Sequence, residues 1–190
     1  MTKPHRAALR GGVGLLERAV AYLLGSLEGL DQRQLARPTP CPRWDLRALL
    51  AHIDDAVLAL HEAAWTGSVG LEMSSVDGDP VASVREHAGR LLGAWACPSS
   101  PGAVFVAGSP LTAGIVTGTG ALEVAVHGWD LARARGTDHP LPAGLAEELL
   151  ELAPLFVAPT DRPGRFAPPV TLPSGAPPGD CLLAFLGRRP

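Results

Sequence analysis

With 190 residues, 19.7 kDa and 46% hydrophobic residues, the chain is long enough to bury one core of ordinary size. A net charge of −3 and a pI near 6.0 offer no electrostatic case for nucleic acid or an anionic membrane. There is no charged-then-apolar leader and no uninterrupted apolar stretch of about 18 residues, so neither export nor membrane insertion is indicated, and the expectation is a cytoplasmic protein, monomer or homodimer, with neither membrane nor nucleic-acid partner. Cys41, Cys97 and Cys181 are odd in number and lack CxxC spacing, which argues against a disulfide framework and a cysteine-rich zinc site. Of the 16 basic residues only Lys3 is a lysine, a bias that fits a GC-rich bacterial genome.

Residues 1–10 are polar, contain a proline and are expected to fray. Leu15, Leu16, Ala19, Val20, Leu23, Leu24 and Leu27 then recur at helical spacing and predict a first helix over 12–30. Pro38, Pro40 and Pro42 cannot continue a helix, so 37–42 reads as a rigid loop. Asp45 is the expected N-cap of a second helix with a core stripe of Leu46, Leu49, Leu50, Ile53, Val57 and Leu60. His52 lies at the edge of that stripe and reads either as a core histidine or as a ligand. Asp54 and Asp55 read as a solvated flank, with carboxylates of a site as the alternative that nothing in their spacing demands.

Gly, Ser and Asp mark a loop over 66–79, and Val84, Ala88, Leu91, Leu92 and Trp95 predict a third helix over 81–95. His61 and His87 fall beside the stripes and read as surface or pocket-wall residues. Val104, Phe105 and Val106 suggest a short extended segment. A fourth helix runs from about 111 or 112 to Arg135, with Gly136 as its C-terminal cap. Gly114, Gly118 and Gly120 weaken its first half, which implies either close approach of a neighbour or fraying. A fifth helix is expected over 143–155. The remainder, 156–190, reads as an ordered proline-rich wrap anchored by Phe166, Val170 and Leu172, ending in one or two amphipathic turns over 180–187. The whole, 1–190, is expected to form a single four-helix-bundle domain with its core over about 12–155, all-α and up-down-up-down, with short extra helices.

The informative stretch is Glu123-Val-Ala-Val-His127-Gly-Trp-Asp130. It puts a carboxylate and an imidazole four residues apart, on one face of a helix, inside an apolar run. Burial of Glu123 is expected from Leu122, Val124, Ala125 and Val126, and a buried carboxylate needs a partner, a proton or a metal. Glu123 and His127 can satisfy each other without a metal; a third ligand from a facing helix would turn the pair into a site.

Three stretches resemble the DinB-like superfamily, in its mycothiol-dependent maleylpyruvate isomerase branch. Thr39-Pro-Cys-Pro-Arg-Trp-Asp45 followed by Leu-Arg-Ala-Leu-Leu-Ala-His52 is similar to the start of that branch's second helix. Glu123-x-x-x-His127-Gly-Trp-Asp-Leu-Ala-Arg133 resembles its signature on the last bundle helix. Phe166-Ala-Pro-Pro-Val170, Pro177-Pro-Gly-Asp180 and Leu186-Gly-Arg188 are similar to the tail of single-domain actinobacterial members. The resemblance implies that His52, Glu123 and His127 bind one divalent metal, zinc foremost, with iron or nickel as alternatives. Two imidazoles, one carboxylate and an open position match a catalytic zinc site. By the same resemblance Trp129 and Asp130 pack, cap or orient the ligands, and Cys41 is buried without being a nucleophile. Cys41 is expected to reach the metal only if the proline loop folds back.

The isomerase for which the branch is named carries a further C-terminal domain, for which this sequence has no room, so a different reaction is expected. The leading expectation is a divalent-metal-dependent thiol S-transferase or thiol-assisted isomerase that uses mycothiol or another low-molecular-weight thiol. The alternatives are a hydrolase or lyase built on metal-activated water, and a non-catalytic metal-binding or small-molecule-binding bundle.

Overall fold

A computed structural model describes residues 3–42, 44–70, 78–97, 100–162 and 165–190, with side chains from residue 11 and excepting that of Asp161. Arg43 of the helix-two motif and residues 71–77 of the 66–79 loop lie outside the described residues. The chain divides into two compact units, Met1–His139 and Pro140–Pro190.

In the first unit, helix α1 spans Lys3–Ser26, α2 Leu46–Thr66, α3 Pro80–Leu91 and α4 Ala113–Arg135. Three of these starts are capped by side chains. Asp45 accepts from the Ala48 amide at 2.8 Å, Asp79 from that of Val81 at 2.9 Å, and Thr112 from that of Ile115 at 3.3 Å. Gly67 and Gly136 end α2 and α4 in the left-handed conformation that suits glycine. The expected start of α1 at residue 12 is corrected to Lys3. The stretch 3–10 is rich in helix formers, and its Pro4 falls in the first turn, where no helical N–H is lost.

The expected stripes of α1 and α2 are buried, as are Val84, Ala88, Leu91 and Trp95, whereas Leu24 is half-buried and Leu92 is exposed. The helix leaves its α-helical path after Leu91, so Leu92 falls off the inward face and a 3-10 turn, Ala94–Ala96, carries Trp95 inward. There the indole N–H donates to the Leu60 carbonyl at 3.1 Å.

All-helical architecture holds, but the directions are up-down-down-up, not the expected alternation. Gly12 meets Thr117 and Gly128 meets Leu23, so α1 and α4 run parallel. Leu60 meets Gly120 while His52 meets Glu123, so α2 opposes α4. Asp54 meets Ser83 and Leu60 meets Trp95, so the third element follows α2 in the same direction. Helix α2 has 21 residues, about 30 Å at 1.5 Å each, and the connection 67–79 covers about 40 Å when extended, enough to return the chain to its starting end.

Parallel α1 and α4 end side by side with aligned dipoles, and guanidinium groups offset both ends. Arg135 donates to the carbonyls of Ser26 at 2.6 Å and Glu28 at 2.5 Å, Arg85 to that of Leu27 at 2.7 Å, and Arg37 to that of Arg135 at 2.8 Å. The glycines of α4 mark close approach. A Cβ on Gly120 would lie 2.5 Å from Leu60 Cδ2, and one on Gly12 of α1 would lie 3.4 Å from the Gly114 carbonyl oxygen.

A small sheet joins the loops. Strand β1, Ser68–Val69, pairs parallel with β2, Ala103–Val106, which pairs antiparallel with β3, Ser109–Thr112. Only the extended segment around Phe105 is expected from the sequence.

In the second unit, helix α5, Ala143–Phe156, packs on α6, Pro178–Phe185. Its buried apolar residues include Leu145, Leu149, Leu182, Leu183 and Leu186. The expected anchors Phe166, Val170 and Leu172 are only half-buried. The wrap is held instead through its backbone: the Val170 amide donates to the Ala184 carbonyl at 2.9 Å, and Arg162 donates to the carbonyls of Ala167 and Phe185 at 3.1 and 3.0 Å. Among the described residues no helix is long and apolar enough to cross a membrane.

Candidate metal centre

The periodicity of α2 turns His52 toward α4, and the four-residue spacing of Glu123 and His127 turns both toward α2. Glu123 Oε1 lies 2.5 Å from His52 Nε2 and 3.2 Å from His127 Nε2. The three donors lie within 4.8 Å of one another. Ligands of a tetrahedral zinc stand roughly 3–3.5 Å apart, given metal–ligand bonds of about 2.0–2.2 Å. Two imidazole nitrogens and a carboxylate oxygen, converging at nearly that spacing, form a donor set that fits a divalent cation.

Exposure within the cluster is uneven. The side chains of His52 and Glu123 are each 37% exposed, whereas that of His127 is 9% exposed and that of Asp130 is 0%. The expected burial of Glu123 is thereby corrected. Its neighbours Leu122 and Val124 are buried on other faces of α4, while its own face opens toward His52. Solvent thus reaches the cluster from one side.

Asp130, one turn beyond His127, supplies the orientation the sequence left open. Its Oδ2 lies 2.9 Å from His127 Nδ1, which leaves Nε2 toward Glu123. Such a carboxylate behind a ligating histidine fixes the ring and strengthens it as a donor. Burial favours the neutral form of His127, but hydrogen bonds with Asp130, Cys41 and Glu123 and the Glu123 charge outweigh it, raising the imidazole pKa well above its ordinary value. The partial burial of Glu123 likewise works against its charge. The hydrogen bonds and charges of His127 and His52 overcome it and hold the carboxyl far below the usual carboxylate range.

The proline loop does fold back. An isolated bridge joins Pro38 to Asp45, the Trp44 amide donates to the Cys41 carbonyl at 2.9 Å, and the Thr39 hydroxyl accepts from the Cys41 amide at 3.1 Å. Cys41 donates its S–H to Asp130 Oδ2 at 3.6 Å, on the Nδ1 side of His127 and away from Glu123. Cys41, His127 and Asp130 form a second group whose donors lie within 4.8 Å of one another. The fold-back on which the reach of Cys41 is expected to depend brings its thiol to Asp130, behind the His127 ring, because Cys41, Pro42, Trp44 and Asp45 are not helical.

Trp44, from the same loop, places its ring 4.6 Å from that of His52 and 5.9 Å from that of His127, centroid to centroid. It belongs to the motif that resembles the family, yet nothing in its spacing assigns it this position. His61 sits apart, accepting from the Trp65 indole at 3.1 Å. Asp54 is no solvated flank. It is 2% exposed and takes hydrogen bonds from Ser83 Oγ and His87 Nδ1, each at 2.7 Å, because α3 packs over that face of α2.

Fold and site together define a helical bundle that carries a His/Glu/His donor cluster between the second turn of α2 and the middle of α4. Comparison with known proteins places that class. The sequence profile of the mycothiol maleylpyruvate isomerase N-terminal domain matches residues 16–132, which include all three donors. The chain belongs to this family. It is 30% identical over 194 residues to uncharacterised proteins from two Mycobacterium tuberculosis strains, CDC 1551 / Oshkosh and ATCC 25618 / H37Rv, covering 90% of this chain and 94% of each of those. Its fold is similar to the crystal structure of a histidine-to-alanine mutant of the mycothiol-dependent maleylpyruvate isomerase. The TM-score is 0.57 at 18% identity, over 80% of this chain and 72% of that one.

Proposed function

We propose that the chain is a divalent-metal-dependent enzyme that brings a low-molecular-weight thiol, mycothiol foremost, to His52, Glu123 and His127 and uses it for S-transfer to, or thiol-assisted isomerisation of, a small molecule. The observation that carries this reading is the convergence of three donors from α2 and α4 beside a solvent-facing side, with His52 and Glu123 each 37% exposed. Family membership supports the thiol. Three cysteines without CxxC spacing are in keeping with a reducing, cytoplasmic setting.

His52 and His127 would hold the cation, zinc foremost, through their Nε2 atoms, and Glu123 through a carboxylate oxygen. When bound, the cation supplies positive charge that favours the ionised form of a thiol brought to the site. The rest falls to the protein. Asp130 holds the His127 ring, Glu123 offsets charge, and Trp44 covers one flank of both rings, keeping water from that side while the opposite side admits a small molecule.

Titrating the cobalt-substituted protein with mycothiol tests the reading. The expected result is a new thiolate-to-cobalt charge-transfer band that persists in Cys41→Ser, with turnover that requires the thiol. Turnover without thiol would assign the site to water activation. A cobalt spectrum insensitive to thiol, without turnover, would reduce the bundle to a binder.

A further inference from the structure

We propose that Cys41 is a positioning residue of this centre, acting on the His127–Asp130 pair; the proposal rests on the metal-site reading above. Oδ2 of Asp130 receives two donors from different parts of the chain, the His127 imidazole at 2.9 Å and the Cys41 thiol at 3.6 Å. Asp130 itself is 0% exposed. A carboxylate sealed from water takes its orientation from its protein partners, so a donor on the far side of Oδ2 helps decide where that oxygen presents itself to the ring.

The loop is built to hold the thiol there. The Thr39 hydroxyl bonds the Cys41 amide and lies 2.9 Å from the Trp44 carbonyl oxygen, while the Thr39 amide donates to that same carbonyl at 3.3 Å. The Leu46 amide donates to the Arg37 carbonyl at 2.9 Å and closes the loop onto the start of α2. One rigid loop therefore brings two groups to the His127 ring: Trp44 flanks it, with ring centroids 5.9 Å apart and planes tilted by 47°, and Cys41 stands behind its carboxylate. Sulfur suits the place, because an S–H is a weak donor with a long reach. It steadies Oδ2 without drawing away the charge on which the imidazole hydrogen bond depends. Serine in its place keeps a donor, and alanine removes it.

The test uses the full chain as wild type, Cys41→Ala, Cys41→Ser and Asp130→Ala, with two readouts. The first is zinc affinity by competition with a chromophoric chelator. Asp130→Ala is expected to lose about 10–100-fold and Cys41→Ala about 10-fold, the low end of the range for groups behind a metal ligand, with Cys41→Ser recovering most of it. The second needs no metal: the downfield proton resonance of His127 Nδ1–H, expected to be sharp in wild type and Cys41→Ser, broadened in Cys41→Ala and lost in Asp130→Ala. Wild-type affinity and an unchanged resonance in Cys41→Ala would overturn the proposal and leave Cys41 a packing residue. If wild type takes up no zinc, the metal reading fails, and the resonance alone decides whether Cys41 holds Asp130 on His127.

Discussion

Glu123 Oε1 stands 2.5 Å from His52 Nε2 and so joins the middle of α4 to the second turn of α2, beside Trp44 of the proline loop. A cation held there would bridge the same two helices in the folded chain alone. Bound metal therefore stabilises the fold by about 2.7 kcal/mol when free metal is 100 times its Kd. Zinc is expected to raise the melting temperature and chelator to reverse it, as followed by calorimetry. In Glu123→Ala the metal-dependent increment is expected to fall to a small residue; an undiminished increment would place the binding elsewhere.

Tyr22 is the only tyrosine in the chain, so tyrosinate absorbance reports on it alone. Its hydroxyl donates to the His139 carbonyl at 2.6 Å, and its ring stacks on that of His139 with centroids 4.6 Å apart. Burial, opposed by Ser26 and aided by the Asp130 charge, raises the phenol pKa well above its ordinary value of 10.0. A raised folded-state value favours the protonated form. The stabilisation is thus complete below about pH 10, where the unfolded phenol is also protonated, and is lost as pH climbs from there toward the folded value. In a pH jump, tyrosinate absorbance near pH 11 is expected to rise only with unfolding. An immediate rise with helical circular dichroism intact would contradict the burial.

Asp54 tests the division between scaffold and site. With Ser83 and His87 both bonded to this buried carboxylate, Asp54→Ala is expected to cost about 2–3 kcal/mol in denaturant unfolding. Zinc stoichiometry should be unchanged, since the pair faces α3 and the donor cluster faces α4. A variant as stable as wild type would show that the network adds nothing.

Gly120 tests helix approach. The Cβ of Gly120→Ala would crowd Leu60 at 2.5 Å, and its expected cost is about 1–3 kcal/mol despite the better helix propensity of alanine. Urea titration measures it, and increased stability would mean that Leu60 swings aside freely.

Local signals were the legible part of the sequence. Asp45 and Gly136 cap the helices they were expected to cap, and the stripe of α2 and the four-residue spacing on α4 turn His52, Glu123 and His127 to one place. Helix direction was not legible, because periodicity is blind to it and only the length of 67–79 hints at a return. Asp54 was misread as solvated because a carboxylate beside a stripe looks the same whether water or Ser83 and His87 meet it. Cys41 and Trp44 could not be placed from the sequence, because their positions depend on a loop whose closure by Thr39 and the Pro38 to Asp45 bridge has no periodic signature.

Metal content of the purified protein, measured with its single-site variants, tests the central claim most directly. The account predicts close to one divalent ion per chain in wild type. His127→Ala, which removes the donor held by Asp130, should lose most of it, with large losses in His52→Ala and Glu123→Ala. Binding should weaken as pH falls, because both imidazoles must shed protons to ligate. Full metal content in all three variants, or none in the wild type after reconstitution with zinc, would contradict it.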